Sequence, residues 1–360
     1  FKTALEANPT IGQYWLSCID VLIKLERMID AQSVLDQAKG MEIKGEVLDQ
    51  LEQKLNVPNE VSIDPPQDQQ QRLINLYQQG QLQQALDSIK QLLSQFPNSL
   101  TLYNIQGATN AGLGQFDAAI DSYKEALKIK PDYAEAYSNM GVALKDKGDL
   151  DAAIDSCKEA LKIKPDYAEA YYNMGNALNE KGDPDAAIDS YKQALKIKPE
   201  YAEANNHMGL ALQGKGDLEP AIVCYKQALK IKPDHVEAYY NMGIALNDKG
   251  DLDGSIESFK MALKVKPDYA GAAFNLSGLA ENISESKSWI EHCLRLDQNH
   301  LEAKLTLAAL TFYEGDKTVF DDLMQSPLKN HPFMRSFAWV FDLPELPELY
   351  FHRWALFDYI

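Results

Sequence analysis

The residues of this 360-residue chain best suited to specific contact recur on a fixed grid. Asn139, Asn173, Asn241 and Asn275 stand on a 34-residue spacing, and His207 fills the remaining place. One residue earlier stand Tyr172, Tyr240 and Phe274, with Ser138 and Asn206 in the other two places. A side-chain amide both donates and accepts, so a row of them can match the exposed backbone of an extended peptide. The same row can instead bond a neighbouring helix or solvent, and both readings stand. Aromatic rings on an open wall offer apolar and cation–π contact, or else they shield helix edges. Asn176, three residues after Asn173, joins the candidate contact set. Glu135, Glu169, Glu203 and Glu237 form an acidic stripe on the same grid. It could attract basic segments, or serve as an ordinary first-turn carboxylate favoured by the helix dipole.

Catalytic chemistry finds no constellation. The histidines are His207, His235, His292, His300, His331 and His352, and none lies in HExxH or a nucleophile motif. GxGxxG and GKS/GKT are absent, and no cofactor is expected. Cys18, Cys157, Cys224 and Cys293 are far apart and form no CxxC pair. No zinc site or disulfide framework is indicated, and packed thiols in a reducing, cytoplasmic compartment are expected. Acidic residues outnumber basic ones by 53 to 35, for a net charge of −18. Such a surface repels phosphate backbones and anionic lipids, so nucleic acid and membrane are poor partners. A neutral or basic protein fits better.

The elements that carry these side chains can be read from the unit Ala168–Tyr201. Tyr171, Met174 and Leu178 recur at three- and four-residue steps, which gives one helix an apolar face. Gly175 removes a side chain where a partner helix must come close. Gly182 ends the first helix, Asp183 caps the second, and Pro184 sits at its first position. Ala187, Ile188, Tyr191, Ala194 and Leu195 form the second apolar face. Pro131, Pro165, Pro199, Pro233 and Pro267 end successive hairpins at 34-residue steps. One hairpin cannot bury both faces alone, whereas a stack of them can.

This period, with aromatic, Leu-Gly, Ala, aromatic, Ala and Pro at fixed offsets, resembles the tetratricopeptide-repeat family. The resemblance implies an all-α fold, a right-handed superhelical solenoid of helix–turn–helix repeats that holds another polypeptide and is not an enzyme. It also implies that first-helix positions 2, 5, 6, 9, 12 and 13 face a concave wall. Some family members use an inner asparagine ladder to grip peptide main chain. Others clamp a C-terminal carboxylate with inward Lys and Arg, but positions 2, 5 and 6 here are Glu, Tyr or Ser, and Asn, so that clamp is absent. The lysines of KEALKIKP, such as Lys158, Lys162 and Lys164, belong to second helices and an outer, salt-bridged face.

In this register the regular units are 100–133, 134–167, 168–201, 202–235 and 236–269, with a weaker one at 66–99. Degenerate units follow at 270–300, three residues short, and at 301–334. Residues 1–55 form an N-terminal block with Trp15, Leu22, Ala31 and Ala38 in register and one further helix, EVLDQLEQKLN. The block is expected to pack against the array. Residues 56–65 read as a proline-marked linker and 66–330 as the array. The groove is expected between about 100 and 285.

Residues 331–360 change character, with nine aromatics between Phe333 and Tyr359. They read as a capping helix, a self-association surface or a junction. HPFMRSFAWVFDLPELPELYFHRWALFDYI resembles the segment joining repeat arrays to methyltransferase-like domains in some bacterial proteins. Both ends read as cut. The expectations are therefore an interaction scaffold, the recruiting arm of a larger enzyme, or a self-assembling solenoid.

Overall fold

The hairpin punctuation read from the sequence is realised bond by bond in the computed structural model, which describes residues 12–24, 28–41, 46–56, 64–313, 316 and 318. Within Ala168–Tyr201, helix α10 (Ala168–Glu180) closes at Gly182, whose φ of +87° an L side chain rarely adopts. There the Asp183 N–H reaches back to the Leu178 carbonyl (3.0 Å), satisfying a carbonyl the helix end leaves open. Asp183 then accepts from the Ala186 N–H (3.1 Å) at the start of α11 (Pro184–Ile197), with Pro184 in its first turn.

Gly175 is required by packing. A Cβ built there would lie 2.6 Å from the Tyr191 ring, so α10 can lie against α11 only without one. Ala187, Tyr191 and Ala194 are at most 1% exposed and Ile188 is 5% exposed. Burying one such large side chain is worth about 2 kcal/mol. Ala211 and Leu212 of the following unit cover them, so each hairpin is completed by the next.

The described residues form two compact units that meet at Pro131 and Asp132. The first holds α1 (Gly12–Lys24), α2 (Met28–Gly40), α3 (Glu46–Asn56), α4 (Gln67–Gln78), α5 (Leu82–Gln95), α6 (Leu100–Gly112) and α7 (Phe116–Ile129). EVLDQLEQKLN is helical over its whole length, as its apolar spacing predicts. Trp15, Ile19, Leu35, Ala38, Leu48 and Leu51 give α1–α3 a core of their own, larger than the sequence suggests for so short a block. A second core joins Leu73, Ile89 and Leu102. Residues 57–63 of the expected linker lie outside the described residues.

The second unit holds α8 (Ala134–Lys147), α9 (Leu150–Ile163), α10, α11, α12 (Ala202–Gly214), α13 (Leu218–Ile231), α14 (Val236–Asp248), α15 (Leu252–Val265), α16 (Ala270–Gly278), α17 (Ile283–Leu296) and α18 (Leu301–Tyr313). Successive first helices α8, α10, α12 and α14 touch one another as well as the second helices between them. Second helices of successive hairpins make no comparable approach among the described residues. Helices that approach in this way lie on the inside of the bend, so the first helices form the inner wall of this unit.

The short unit at 270–300 loses its residues from the first helix: α16 has 9 residues where α14 has 13. The missing turn is the one that covers Ile188 and Ile222 in earlier units. Ile256 is correspondingly only half-buried, and a shallow groove runs along α15 beside it. Cys293 takes the buried place of Ala262, as the register predicts. The second half of the 301–334 unit and the whole of 331–360 lie outside the described residues.

Candidate functional site

The inner wall of the second unit is built from positions 5 and 6 of its first helices, and these pair across hairpins with a constant offset of 35 residues. Asn173 Nδ2 donates to Ser138 Oγ (3.0 Å). His207 Nε2 and the Tyr172 hydroxyl lie 3.4 Å apart. Asn241 Nδ2 donates to Asn206 Oδ1 (3.1 Å), and Asn275 Nδ2 to the Tyr240 hydroxyl (3.2 Å). Every rung joins position 6 of one helix to position 5 of the helix before it. The amides therefore bond a neighbouring helix, one of the two readings open from sequence. Each amide has two N–H groups and two lone pairs, and a rung uses one N–H.

Exposure sorts the candidates. Asn139, Asn173, His207, Asn241, Asn275, Tyr172, Asn176, Tyr240 and Phe274 are all half-buried, open in part on the inner wall. Asn206 is 3% exposed and its carbonyl is held by Asn241, so it supports the wall and is not part of the contact surface. Tightly packed aromatics around it leave Tyr172 and Tyr240 less open than a bare row of rings would be. Tyr172 packs on Tyr201 (centroids 5.0 Å) and Tyr191 (6.1 Å), and Tyr240 on Tyr269 (5.2 Å) and Phe259 (5.7 Å). Phe274 packs on His300 (4.8 Å). Burial pushes the Tyr172 and Tyr240 hydroxyls above the usual phenol range, so both stay protonated at neutral pH.

The richest cluster surrounds His207. Asn176 Oδ1 accepts from the Tyr191 hydroxyl (2.8 Å) and meets His207 Nδ1 (2.8 Å). A carbonyl oxygen can only accept, so Nδ1 carries the proton and Nε2 is the acceptor facing Tyr172. Burial, followed by the nearby His235 and Lys145, holds the His207 imidazole below its ordinary pKa, against the pull of Glu203. Ser138, read from sequence only as a member of the position-5 row, and Tyr191, read only as part of an apolar face, both hydrogen-bond into this wall. The Ser138 contact follows a 35-residue offset, which a search for a 34-residue grid does not test.

The acidic stripe is largely answered from within. Glu169 pairs with Lys198 (3.2 Å) and Glu203 with Lys232 (3.6 Å), while Glu135 accepts from the Tyr133 hydroxyl (3.1 Å). Lys198 also lies over the Tyr201 ring at 4.4 Å. On the outer helices Lys158 pairs with Asp155 (3.0 Å) and Lys162 with Glu159 (2.5 Å), the salt-bridged face expected there. A ladder not foreseen links successive hairpins: Lys181 with Asp151 (2.6 Å), Lys215 with Asp185, and Lys249 with Glu219 (3.5 Å). Among the described residues no group of three His, Cys, Asp or Glu side chains could hold a metal ion. No described helix is long and apolar enough to cross a membrane.

Stacked helical hairpins with an inner wall of amides and rings define a repeat solenoid. The chain is a tetratricopeptide-repeat protein. Family models described as TPR repeat match residues 111–148 and 214–250, and others described as tetratricopeptide repeat match 132–200, 236–269 and 73–99. The protein MamA is similar at 34% identity over 46% of this chain and 96% of its own, with a TM-score of 0.41. YrrB, titled a TPR protein with an unusual peptide-binding site, is 21% identical over 51% of this chain and 95% of its own (TM-score 0.40). A chain of the Cut9–Hcn1 complex is 14% identical, covering 86% of this chain and 57% of its own, with a TM-score of 0.56. No curated protein matches the chain. The tetratricopeptide fold is that of a protein–protein interaction scaffold.

Proposed function

We propose that the inner wall of the second unit holds an extended peptide, or an extended segment of a partner protein, along α8, α10, α12, α14 and α16. The observation that carries this reading is the ladder itself. Four successive rungs place amides, hydroxyls and an imidazole in one line, and the half-buried Asn173, Asn241 and Asn275 each keep acceptor capacity beyond their rungs. Asn139, Asn173, Asn241 and Asn275 would bond main chain, while His207 and Asn176 hold the Tyr172 hydroxyl between them. Tyr172, Tyr240 and Phe274 would contact side chains, and Leu210, 37% exposed on α12, adds an apolar surface among them. The net charge of −18 favours a neutral or basic partner.

The test is the paired variant Asn173→Ala with Asn241→Ala, assayed against a peptide selected from an array by fluorescence anisotropy. Loss of two main-chain hydrogen bonds is expected to weaken binding about thirtyfold, from roughly 1 kcal/mol per bond. The rungs also change the stability expectation. The variant strands the Asn206 carbonyl and should lower stability by about 1–2 kcal/mol, where the sequence alone implied no cost. Unchanged affinity together with lowered stability would show the rungs to be structural only, and would sink the reading.

A further inference from the structure

The two tyrosine rungs are chemically opposite. At Tyr240 the rung partner is a donor: Asn275 Nδ2 gives its hydrogen to the hydroxyl oxygen. The Tyr240 O–H proton is therefore not held by the rung and can be donated to a ligand. At Tyr172 the rung partner is His207 Nε2, which in the Nδ1–H tautomer can only accept. The Tyr172 proton is drawn toward the imidazole, and of the two lone pairs on its oxygen one faces the Asn176 side chain and one is left to accept. Position 6 is Asn139, Asn173, Asn241 and Asn275 in the other four first helices of this wall and His only here, so the inversion comes from this one departure from repetition.

We propose that His207 is a positioning residue that sets the polarity of the Tyr172 hydroxyl, so that this rung selects a ligand N–H at neutral pH and turns against it in acid. The proposal rests on the peptide-holding reading of the wall and names the group recognised at one place along it. Protonated His207 carries hydrogens on both nitrogens. Nδ1–H keeps its bond to Asn176, while Nε2–H now donates to the Tyr172 oxygen. With Asn176 and Nε2–H both donating to it, the Tyr172 oxygen has no lone pair left for a ligand N–H, and its own proton must turn away from the imidazole. No proton leaves the tyrosine at any stage.

The groups around the imidazole are compatible with this switch. Tyr172 and Asn176 reach it from α10 and Tyr191 from α11, while Tyr201, in the turn before α12, packs on Tyr172. Glu203 lies on α12 itself, His235 precedes α14, and Lys145 approaches from α8, where it is paired with Asp146 (2.5 Å) and Glu180 (3.7 Å). Tyr172, Tyr191 and Tyr201 stay neutral, each held above the ordinary phenol range by burial. Within this cluster the group whose charge change drives the switch is therefore His207. Since the folded pKa of His207 lies below its ordinary value of about 6.5, the window lies below that pH.

Two measurements decide it. In the ligand-free protein, imidazole ¹⁵N shifts of His207 should report the Nδ1–H tautomer, and Tyr172→Phe should raise its pKa because a donor to the neutral ring is lost. An Nε2–H tautomer overturns the inference without any peptide. With the array-selected peptide, wild-type affinity should fall as pH drops from 7 to 5, by up to tenfold per unit below the His207 pKa. His207→Asn, which restores the residue of the neighbouring units, and Tyr172→Phe should both flatten that profile while leaving the melting temperature within a few degrees. A wild-type profile no steeper than that of His207→Asn overturns the inference and leaves the peptide reading intact. Insensitivity to the Asn173 and Asn241 pair overturns the peptide reading separately.

Discussion

At the scale of single residues, packing decides more than polarity. Gly175 is the sharpest case, because a Cβ there would meet the Tyr191 ring at 2.6 Å. Gly175→Ala is expected to cost about 1–3 kcal/mol, measured as a shift in the urea midpoint. Asp183, whose carboxylate caps α11, should cost about 1 kcal/mol as Ala. Cys157 is fully buried, and burial raises its thiol pKa to about 12. It is expected to react with a thiol reagent at pH 8 only as the chain unfolds, and rapid labelling of the native protein would contradict the packing described. The sequence correctly marked Gly175, Gly182, Asp183 and Pro184, since each answers to backbone rules that act over three or four residues. It placed Asn206 on the contact surface because position 5 looks alike in every unit. Only the neighbouring Asn241 shows that this carbonyl is spent.

Helices and hairpins form the next scale, where coupling runs between units. The Lys181–Asp151, Lys215–Asp185 and Lys249–Glu219 pairs tie the end of each first helix to the start of the preceding second helix. The hydrogen bond and charge of Lys181 hold the Asp151 carboxyl below its ordinary range. A depressed folded pKa means that the pair contributes above the unfolded carboxylate pKa and loses its contribution as pH falls through the folded one. These side chains are exposed, so the effect should be small and should shrink with salt. Thermal melts of Lys181→Ala and wild type should therefore differ most at neutral pH and low salt, and converge as pH falls below the ordinary carboxylate range. A difference that persists in acid would show that packing of the lysine stem, not the ion pair, is responsible. The lysine ladder escaped sequence reading because its partners stand about 30 residues apart on different helices. The i,i+3 pairs of the outer face were visible because one helix fixes their distance. The truncation of α16 was legible as a three-residue deficit, but which helix lost the turn, and that Ile256 would lose its cover, depended on the fold.

At the scale of the molecule, the second unit is a chain of local dependencies. Its cores run from Ala134 with Ala170, through Ala187 with Ala211 and Ala221 with Ala245, to Ala273 with Leu310, each made by adjoining hairpins. A fragment spanning 132–318 is expected to fold alone, with strong helical circular dichroism and a cooperative melt. An unfolded fragment would contradict the self-sufficiency of these cores. The sequence by itself determined the repeat, its hairpin boundaries and its buried faces. Those follow from helix periodicity, capping chemistry and glycine at close approaches, all expressed within one 34-residue unit. Only the tertiary structure decided how position 6 of one helix meets position 5 of the helix before it. That contact depends on the angle at which hairpins stack, a quantity set by the whole packed interface and not by any residue in the row. The amides that the sequence offered to a ligand are therefore first bonded to side chains of the preceding helix, and His207, which replaces one of them, reverses the direction of its rung.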